Sequence, residues 1–403
     1  MVSEGWGSGF KFPELRDDKT TKRQYDRMPT IIFFANTEWY LYNFRSALLR
    51  AAGEAGYGVR CVSPPGPFGE KLRAAGFEWD ALPFERDSRL GMLLSLWRSR
   101  TALRRLIAEA RPAIIHSFTL TSILITWLAV GRRLDIHRVN AVTGLGYAFT
   151  GTSVVHRLVQ AVLRPFIRRA LAGENAVTVV QNRTDQNFLA EHFGLDRERV
   201  RLIASSGVDI QRFRPAPRDS KPALRIGFVG RLLDDKGIRE FVAAAREAKR
   251  RHPAIEFVAA GAPDLGNPAA VGEAELAAWK AEGVVEFAGQ VTDMPGFFNS
   301  LDLFVLPSYR EGLSRSLIEA GACGLPAVTT DVPGCRDVVS DGDNGLLVPA
   351  RDAVALADAS ERLVADAALR KRMGQRAREV VVRGFSNEVV NGQTLELYGD
   401  IRG

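Results

Sequence analysis

The residues best suited to chemistry stand where strand-like runs give way to helices. The run Leu224–Gly230 (LRIGFVG) continues into GRLLDDKG, which sets Arg231 and Lys236 on a short loop ahead of a helix beginning near Gly237. Two cations at a strand's carboxyl end, beside the amides of a helix start, suit a diphosphate. Taken alone they are equally the charges of a solvated loop. A second segment, PSYREGLSRSLIEAGACGLPAV, follows the run Leu303–Pro307 and carries Glu311 and Gly312 on a loop before a helix from about Ser314. Gly312 lets the backbone approach a ligand closely, and the amides of Leu313, Ser314 and Arg315 are in place to hold an anion. Glu319 lies eight positions after Glu311, on the helix. One carboxylate on the loop and one on the helix can address two parts of an elongated ligand, and the hydroxyl pairs of a ribose or hexose are natural partners. Helix capping by Glu311 and a surface charge at Glu319 are the plainer readings. The four charges together favour the ligand.

Other patterns carry less. Asp341-Gly342-Asp343 looks like a D-x-D metal motif, but it sits in DGDNG before the run Leu346–Val348, where turn chemistry accounts for it. GLGYAFTG is not G-x-G-x-x-G, and there is no P-loop. His116, His137, His156, His192 and His252 have no metal-ligand spacing, so no metal and no resident cofactor are expected. Cys61, Cys323 and Cys335 are far apart and outside any C-x-x-C pair, which fits a reducing cytoplasm.

The elements that must position these residues alternate strand and helix along the whole chain, the mark of α/β layers with parallel sheets. Its 403 residues suit two domains, and an apolar share of 46% suffices for two buried cores. Strand-like runs at Thr30–Ala35, Gly58–Ser63, Ala113–Ser117, Ile136–Val142 and Val177–Gln181 make a first series, with a helix over Leu41–Ala55 after the first. SGVDIQRFRPAPRDSKPAL has three prolines and no apolar period, and reads as a linker. A second series runs from Leu224–Gly230 through Ile255–Ala260, Val284–Ala288, Leu303–Pro307 and Ala327–Thr330. The expected division is a tail over 1–28, domains over 29–205 and 224–385, and a linker over 206–223. Two doubly wound domains facing each other across a cleft would hold ligand at the strands' carboxyl ends. The tail is polar and glycine-rich, without the apolar stretch of a signal peptide. Ile114–Val130 is uncharged, but it falls short of the ~20 apolar residues of a span and reads as a buried strand and helix.

GRLLDDKG, the pair Glu311 and Glu319, and DVPGCRDVVSDGDNGLLVP together resemble glycosyltransferase family 4, retaining enzymes of the GT-B fold. The resemblance runs from about Pro29 to the end and implies that the C-terminal helix, about 386–403, packs back onto the first domain. It implies that Arg231 and Lys236 take the donor diphosphate, Glu311 the donor sugar and Glu319 the ribose, with Gly230 and Gly312 also among the donor-binding residues. EFAGQV, around Gly289 to Val291, resembles the family's base-binding turn, which usually reads uracil. FFANTEWYLYNFR, IIHSFT, NAVTGLGYAFTG, VVQNRTDQNFL and SSGVDIQRF resemble the branch that extends undecaprenyl-diphosphate-linked glycans. This places acceptor contacts at Asn36, Trp39, Tyr40, Asn43, Arg45, His116, Thr143, Gly144 and Gly146. His116 is equally a core histidine, and the TGLG turn equally a plain tight turn. Two departures stand out. Asn36 to Tyr40 replace the Gly-Gly turn common after the first strand, and Phe118 stands where many members have the second His of H-x-H.

The implied activity is retaining transfer from a nucleotide sugar, a UDP-sugar by preference, to a lipid-linked sugar. Arg231, Lys236 and nearby amides would neutralise the departing diphosphate in place of a metal, with no protein nucleophile. A nucleotide-sugar epimerase or phosphorylase of the same fold would need no lipid. A silent sugar-nucleotide-binding scaffold would be expected to lack one of Arg231, Lys236 and Glu311, and all are present.

The charge distribution points to a partner surface. Between Arg111 and Glu174 eight arginines face one acid, Asp135. RNA-binding aromatic motifs and helix-turn-helix signals are absent, so anionic lipid is favoured over nucleic acid. Val154–Leu171 and Leu90–Ile107 are basic and amphipathic. The expected location is therefore the cytoplasm, on the inner face of the cytoplasmic membrane.

Overall fold

The computed structural model describes residues 28–84, 89–143, 154–217, 223–264 and 266–402, with only the helical backbone for 89–93 and 154–162. All of the expected tail but Met28 lies outside these residues, as do Gly144, Gly146 and positions 218–222 of the expected linker.

The described strands form two parallel sheets. The first contains β1 (Thr30–Phe34), β2 (Gly58–Ser63), β3 (Glu78–Ala81), β4 (Ile114–Phe118), β5 (His137–Val142), β6 (Ala176–Val180) and β7 (Val200–Leu202), in the order β3-β2-β1-β4-β5-β6-β7. The second contains β8 (Arg225–Val229), β9 (Glu256–Ala260), β10 (Glu286–Gly289), β11 (Leu303–Leu306), β12 (Ala327–Thr330) and β13 (Gly345–Val348), in the order β10-β9-β8-β11-β12-β13. Both are doubly wound. Ile31 to Phe34 of β1 are buried, as a strand covered on both faces by helices must be, and this is why it reads as one apolar run.

Each sheet reverses its winding once, between β1 and β4 in the first and between β8 and β11 in the second. Such a reversal opens a crevice at the strands' carboxyl ends. In the first sheet Phe33 pairs with His116 and Phe34 with Ser117, so the segments leaving β1 and β4 emerge side by side. In the second, Leu303 pairs with Ile226 and Phe304 with Gly227, which sets the Lys236 loop beside the Glu311 loop.

Three features depart from the sequence reading. The edge strands β3 and β7 were not foreseen, being short and carrying Glu78, Asp80 and Arg201; edges are commonly kept short and charged, which erases the strand pattern. The helix expected over Leu41–Ala55 begins earlier and is broken in type: a turn at Glu38–Tyr40, a π segment at Leu41–Arg45, then an α-helix at Ser46–Glu54. Thr37 Oγ1 starts it by accepting from the Tyr40 amide at 3.2 Å. Lastly, 206–217 is packed rather than loose. Val208 and Phe213 are buried, the Val208 amide donates to Phe385 O at 2.9 Å, and Arg378 donates to the carbonyls of Ile210 and Phe213. Those partners lie far along the chain, where local composition cannot reveal them.

Ile114–Val130 resolves into β4 and a helix over Leu120–Val130, and among the described residues no helix is long and apolar enough to cross a membrane. On the Asn387–Asp400 helix, Tyr398 is fully buried and meets the rings of Phe33 and Tyr57 edge-on.

Candidate functional site

In the second sheet three neighbouring strands end in glycines that form a row. The Gly230 amide donates to Ala260 O at 3.0 Å, and the Gly261 amide to Gly289 O at 2.8 Å. Gly261 has φ +142°, and a Cβ there would lie 1.8 Å from Gly230 O, so no side chain fits. Gly289, at φ +66°, has open space where a Cβ would stand, and Val291 beyond it is half-buried.

The two strands at the switch point carry the charges. After β8 a single 3-10 turn, Asp234–Lys236, ends at Gly237, whose φ is +70° and whose Cβ would fall 2.0 Å from Pro307 O. Glycine at this position lets the turn lie directly on the end of β11. The Ser308 hydroxyl and the Tyr309 amide then both donate to Asp235 O, at 3.0 and 2.8 Å. The loops so joined bring Lys236 Nζ to 2.5 Å from Glu311 Oε1, with the side chains 21% and 11% exposed. An ammonium has three donors, so this pair leaves two for a ligand's oxygens.

Glu311 is held from its other side as well. Its amide donates to Pro333 O at 3.3 Å, and Gly334, at φ +80°, abuts it so closely that a Cβ would lie 2.5 Å from Glu311 O. Beneath this contact burial pushes the Cys335 thiol up to about 12, with the Glu311 charge adding to the effect. Cys335 therefore stays a thiol and serves as packing.

Arg231 is exposed and donates to Asp264 at 2.7 Å. Exposed pairs of this kind are worth about 0–1 kcal/mol, so an arriving phosphate can displace the carboxylate. Glu319, one turn into the Arg315–Ala322 helix, accepts from Arg315 Nε at 2.7 Å, and Arg315 also reaches Ser206 Oγ at 2.7 Å. The amides expected to hold an anion need one correction. The Ser314 amide already donates to Gly334 O at 3.1 Å, because the loop is stitched to the 333–334 turn, while the Ser314 hydroxyl caps the helix at the Leu317 amide. Asp341 to Asp343 do form a turn: Asp341 caps the Leu347 amide and Asp343 pairs with Arg376.

Of the residues expected on the acceptor side, Asn36 to Arg45 follow β1 and His116 lies in β4, the two strands at the first sheet's switch point, whereas Thr143 follows β5. Trp39 and Asn43 are exposed, Asn43 donating to Trp39 O at 2.9 Å, and Asn36 and Thr143 are half-buried. Arg45 is buried. Its Nη2 donates to Tyr40 Oη at 2.7 Å, and its guanidinium lies 4.5 Å over the Phe118 ring. The His116 and Phe118 rings stand 4.2 Å apart, and His116 Nδ1 shares a 2.6 Å hydrogen bond with Tyr398 Oη. Burial, and then Arg45, hold the imidazole well below its usual pKa and so neutral. His116 is a core histidine by its burial, with Nδ1 bonded to Tyr398 Oη and Nε2 left without a partner.

The Glycosyl transferases group 1 family matches residues 209–380, and the Glycosyl transferase 4-like family matches 30–182. A D-inositol 3-phosphate glycosyltransferase of Arthrobacter sp. (strain FB24) is 30% identical over 318 residues, covering 73% of this chain and 72% of the relative. The chain belongs to glycosyltransferase family 4. The transferase is also 24% identical over 383 residues to the N,N'-diacetylbacillosaminyl-diphospho-undecaprenol alpha-1,3-N-acetylgalactosaminyltransferase of Campylobacter jejuni, covering 91% of this chain and 97% of that one. Anabaena Alr3699/HepE, solved in complex with UDP and glucose, superimposes with a TM-score of 0.72 at 17% identity, over 92% of this chain and 99% of the other. The transferase thus has the GT-B fold, two doubly wound parallel sheets. Gly261, Gly334 and Ser308 escaped the sequence reading, as did the packing role of Gly237, which it marks only as the start of a helix. Gly261 was legible as the residue closing the β9 run, whereas Gly334 and Ser308 act through tertiary contacts alone.

Proposed function

We propose that the transferase moves a sugar from a UDP-sugar to a sugar on a polyprenyl diphosphate, with retention of configuration. The observation that carries the donor half is the Lys236–Glu311 pair at the second sheet's switch point. Lys236 and Arg231 would hold the diphosphate as its charge grows, Glu311 would take hydroxyls of the donor sugar, and Glu319 the ribose. An oxygen of the leaving phosphate would accept the proton of the attacking hydroxyl, so no protein nucleophile is assigned. The 224–385 domain is read as the donor domain and 29–205 as the acceptor domain. The UDP and glucose bound to Alr3699/HepE support the donor class, and the diphospho-undecaprenol in the Campylobacter relative's name supports the acceptor class.

The test incubates the protein with UDP- and GDP-sugars and polyprenyl-diphosphate glycans, with and without EDTA, and reads products by mass spectrometry. Extension of the lipid glycan by UDP-sugar, undiminished by EDTA, is expected. Conversion of donor alone into an epimer or sugar phosphate would replace transfer with the epimerase or phosphorylase reading. Glu319→Ala should raise the donor KM about 10-fold with kcat nearly unchanged, the loss of one charge-assisted hydrogen bond made equally in ground and transition states. A donor affinity equal to wild type would remove Glu319 from the ribose.

We further propose that the enzyme works from the inner membrane face, docking through the Arg89–Ala110 helix. Leu94 and Trp97 are 56% and 62% exposed, and Arg98, Arg104 and Arg105 share their face at helical spacing. Arg100 donates to Leu128 O at 3.0 Å, and Leu128 is itself exposed. Apolar and cationic residues on one face suit an anionic lipid surface. Leu94→Ser with Trp97→Ser should abolish most co-flotation with phosphatidylglycerol vesicles, and 0.5 M salt should do the same to wild type, because the Debye length falls to about 4 Å and all but the closest charge contacts are screened. Undiminished flotation of the double variant would reject this face.

A further inference from the structure

Along β4 and the turn from it into the Leu120–Val130 helix, three buried polar atoms lack partners. His116 Nε2, Thr119 Oγ1 and Ser122 Oγ are all buried without a hydrogen bond. His116 and Ser122 are 3% and 1% exposed. Buried polar atoms are nearly always paired, so three within seven residues need an explanation. Thr119 adds strain: its φ is +79°, a region that β-branched residues avoid. It occupies the helix's N-cap, yet its hydroxyl makes no cap bond. The first intrahelical bond there runs from the Ile123 amide to Thr119 O, at 3.1 Å. The preceding amides, of Leu120, Thr121 and Ser122, are the ones an α-helix cannot satisfy internally.

Arg45 belongs to the same place. It leaves the π segment after β1, and its guanidinium rests on Phe118, the residue before Thr119. Only 5% of Arg45 is exposed, and among the described residues no carboxylate pairs with it; the Tyr40 hydroxyl takes its Nε and Nη2. Glu38, buried nearby in sequence, faces the Phe68 amide at 3.5 Å instead. A buried cation without a counter-charge is costly, and a π segment often marks a functional position. The cluster lies at the β1–β4 switch point, where a doubly wound sheet binds its ligand.

We propose that Arg45 and the 119–122 turn form a phosphate-binding site, which receives a phosphate of the acceptor's diphosphate linkage. Arg45 supplies the counter-charge and a two-pronged hydrogen bond, the helix start supplies amides, and the Ser122 and Thr119 hydroxyls and His116 Nε2 turn toward the bound oxygens. The source of that phosphate rests on the lipid-diphosphate reading above; the site itself does not.

The full chain, saturated with UDP to fill the donor site, is titrated calorimetrically with inorganic pyrophosphate. Wild type should bind it. Arg45→Gln should weaken binding by about 10- to 100-fold, and Ser122→Ala by a few-fold, as expected for a charge-assisted and a neutral hydrogen bond. Ser122→Ala guards against misfolding, because deleting an unpaired buried hydroxyl should leave thermal stability at or above that of wild type. In transfer assays both variants should raise the KM for a polyprenyl-diphosphate glycan and leave that for UDP-sugar alone. Absent pyrophosphate binding to wild type, or unchanged affinity in both variants, overturns the site. Arg45-dependent pyrophosphate binding by an enzyme that uses a phosphate-free acceptor equally well keeps the site and overturns the lipid-diphosphate reading. Efficient lipid-linked transfer with an unaltered KM in both variants does the reverse.

Discussion

Lys236→Ala should lower turnover by about 10²–10³-fold, the usual loss when one preorganised group facing developing charge is removed. Lys236 Nζ is 2.5 Å from Glu311 Oε1, and both side chains are largely covered. The ammonium is therefore fixed before any ligand arrives and needs no reorganisation as the bond to the diphosphate stretches. Alanine removes that cation and also strands Glu311, whose remaining neighbours at 333–334 offer backbone carbonyls rather than charge. Both of the contacts proposed for the pair, to the diphosphate and to the donor sugar, should feel the change. Lys236→Arg should recover part of the activity only, because a planar guanidinium cannot take the position of a compact ammonium against the same carboxylate. Single-turnover rates for the three proteins, measured with donor in excess, decide the matter. A Lys236→Ala enzyme within a few-fold of wild type would leave Lys236 as a structural partner of Glu311 and nothing more.

The parts of this molecule legible in sequence are those set by local pattern. Buried parallel strands announce themselves as apolar runs, and the runs at Gly58–Ser63 and Ala327–Thr330 match strands β2 and β12 end to end. Arg231, Lys236 and Glu311 could be nominated because each follows a strand, and Glu319 because it stands eight positions after Glu311. What the sequence hides is whatever depends on a second segment. That Lys236 meets Glu311 follows from the β8–β11 register, and the engagement of the Ser314 amide follows from a turn twenty residues onward. Arg45 shows the same limit. The resemblance carried by FFANTEWYLYNFR nominates it as an acceptor contact, but its burial against Phe118 requires β1 and β4 to be neighbours. The π segment that carries it leaves no periodic trace, since five residues are too few to shift a helical pattern visibly.

Gly237→Ala should damage the proposed donor site as severely as the loss of a charged residue, although it removes no chemistry. Two effects combine at this position. A φ of +70° is unfavourable for alanine, at about 1–2 kcal/mol. The new Cβ would also lie 2.0 Å from Pro307 O, a backbone atom at the end of β11 that cannot rotate away. Relief requires the Asp234–Lys236 turn to lift from β11, which breaks the bonds from Ser308 and Tyr309 to Asp235 O and moves Lys236 away from Glu311. A displacement of roughly 1 Å between groups that act together costs about 10²-fold in rate. Gly283→Ala isolates the backbone strain: it has the same φ of +70°, at the end of the Glu273–Glu282 helix, with nothing within 4 Å of its Cβ. Gly283→Ala should therefore lose a little stability and keep its kinetics, whereas Gly237→Ala should lose about 10²-fold in kcat/KM. Matched kinetics in the two variants would mean that the turn bears on β11 too loosely to hold Lys236, and that the carboxylate alone keeps the ammonium in place.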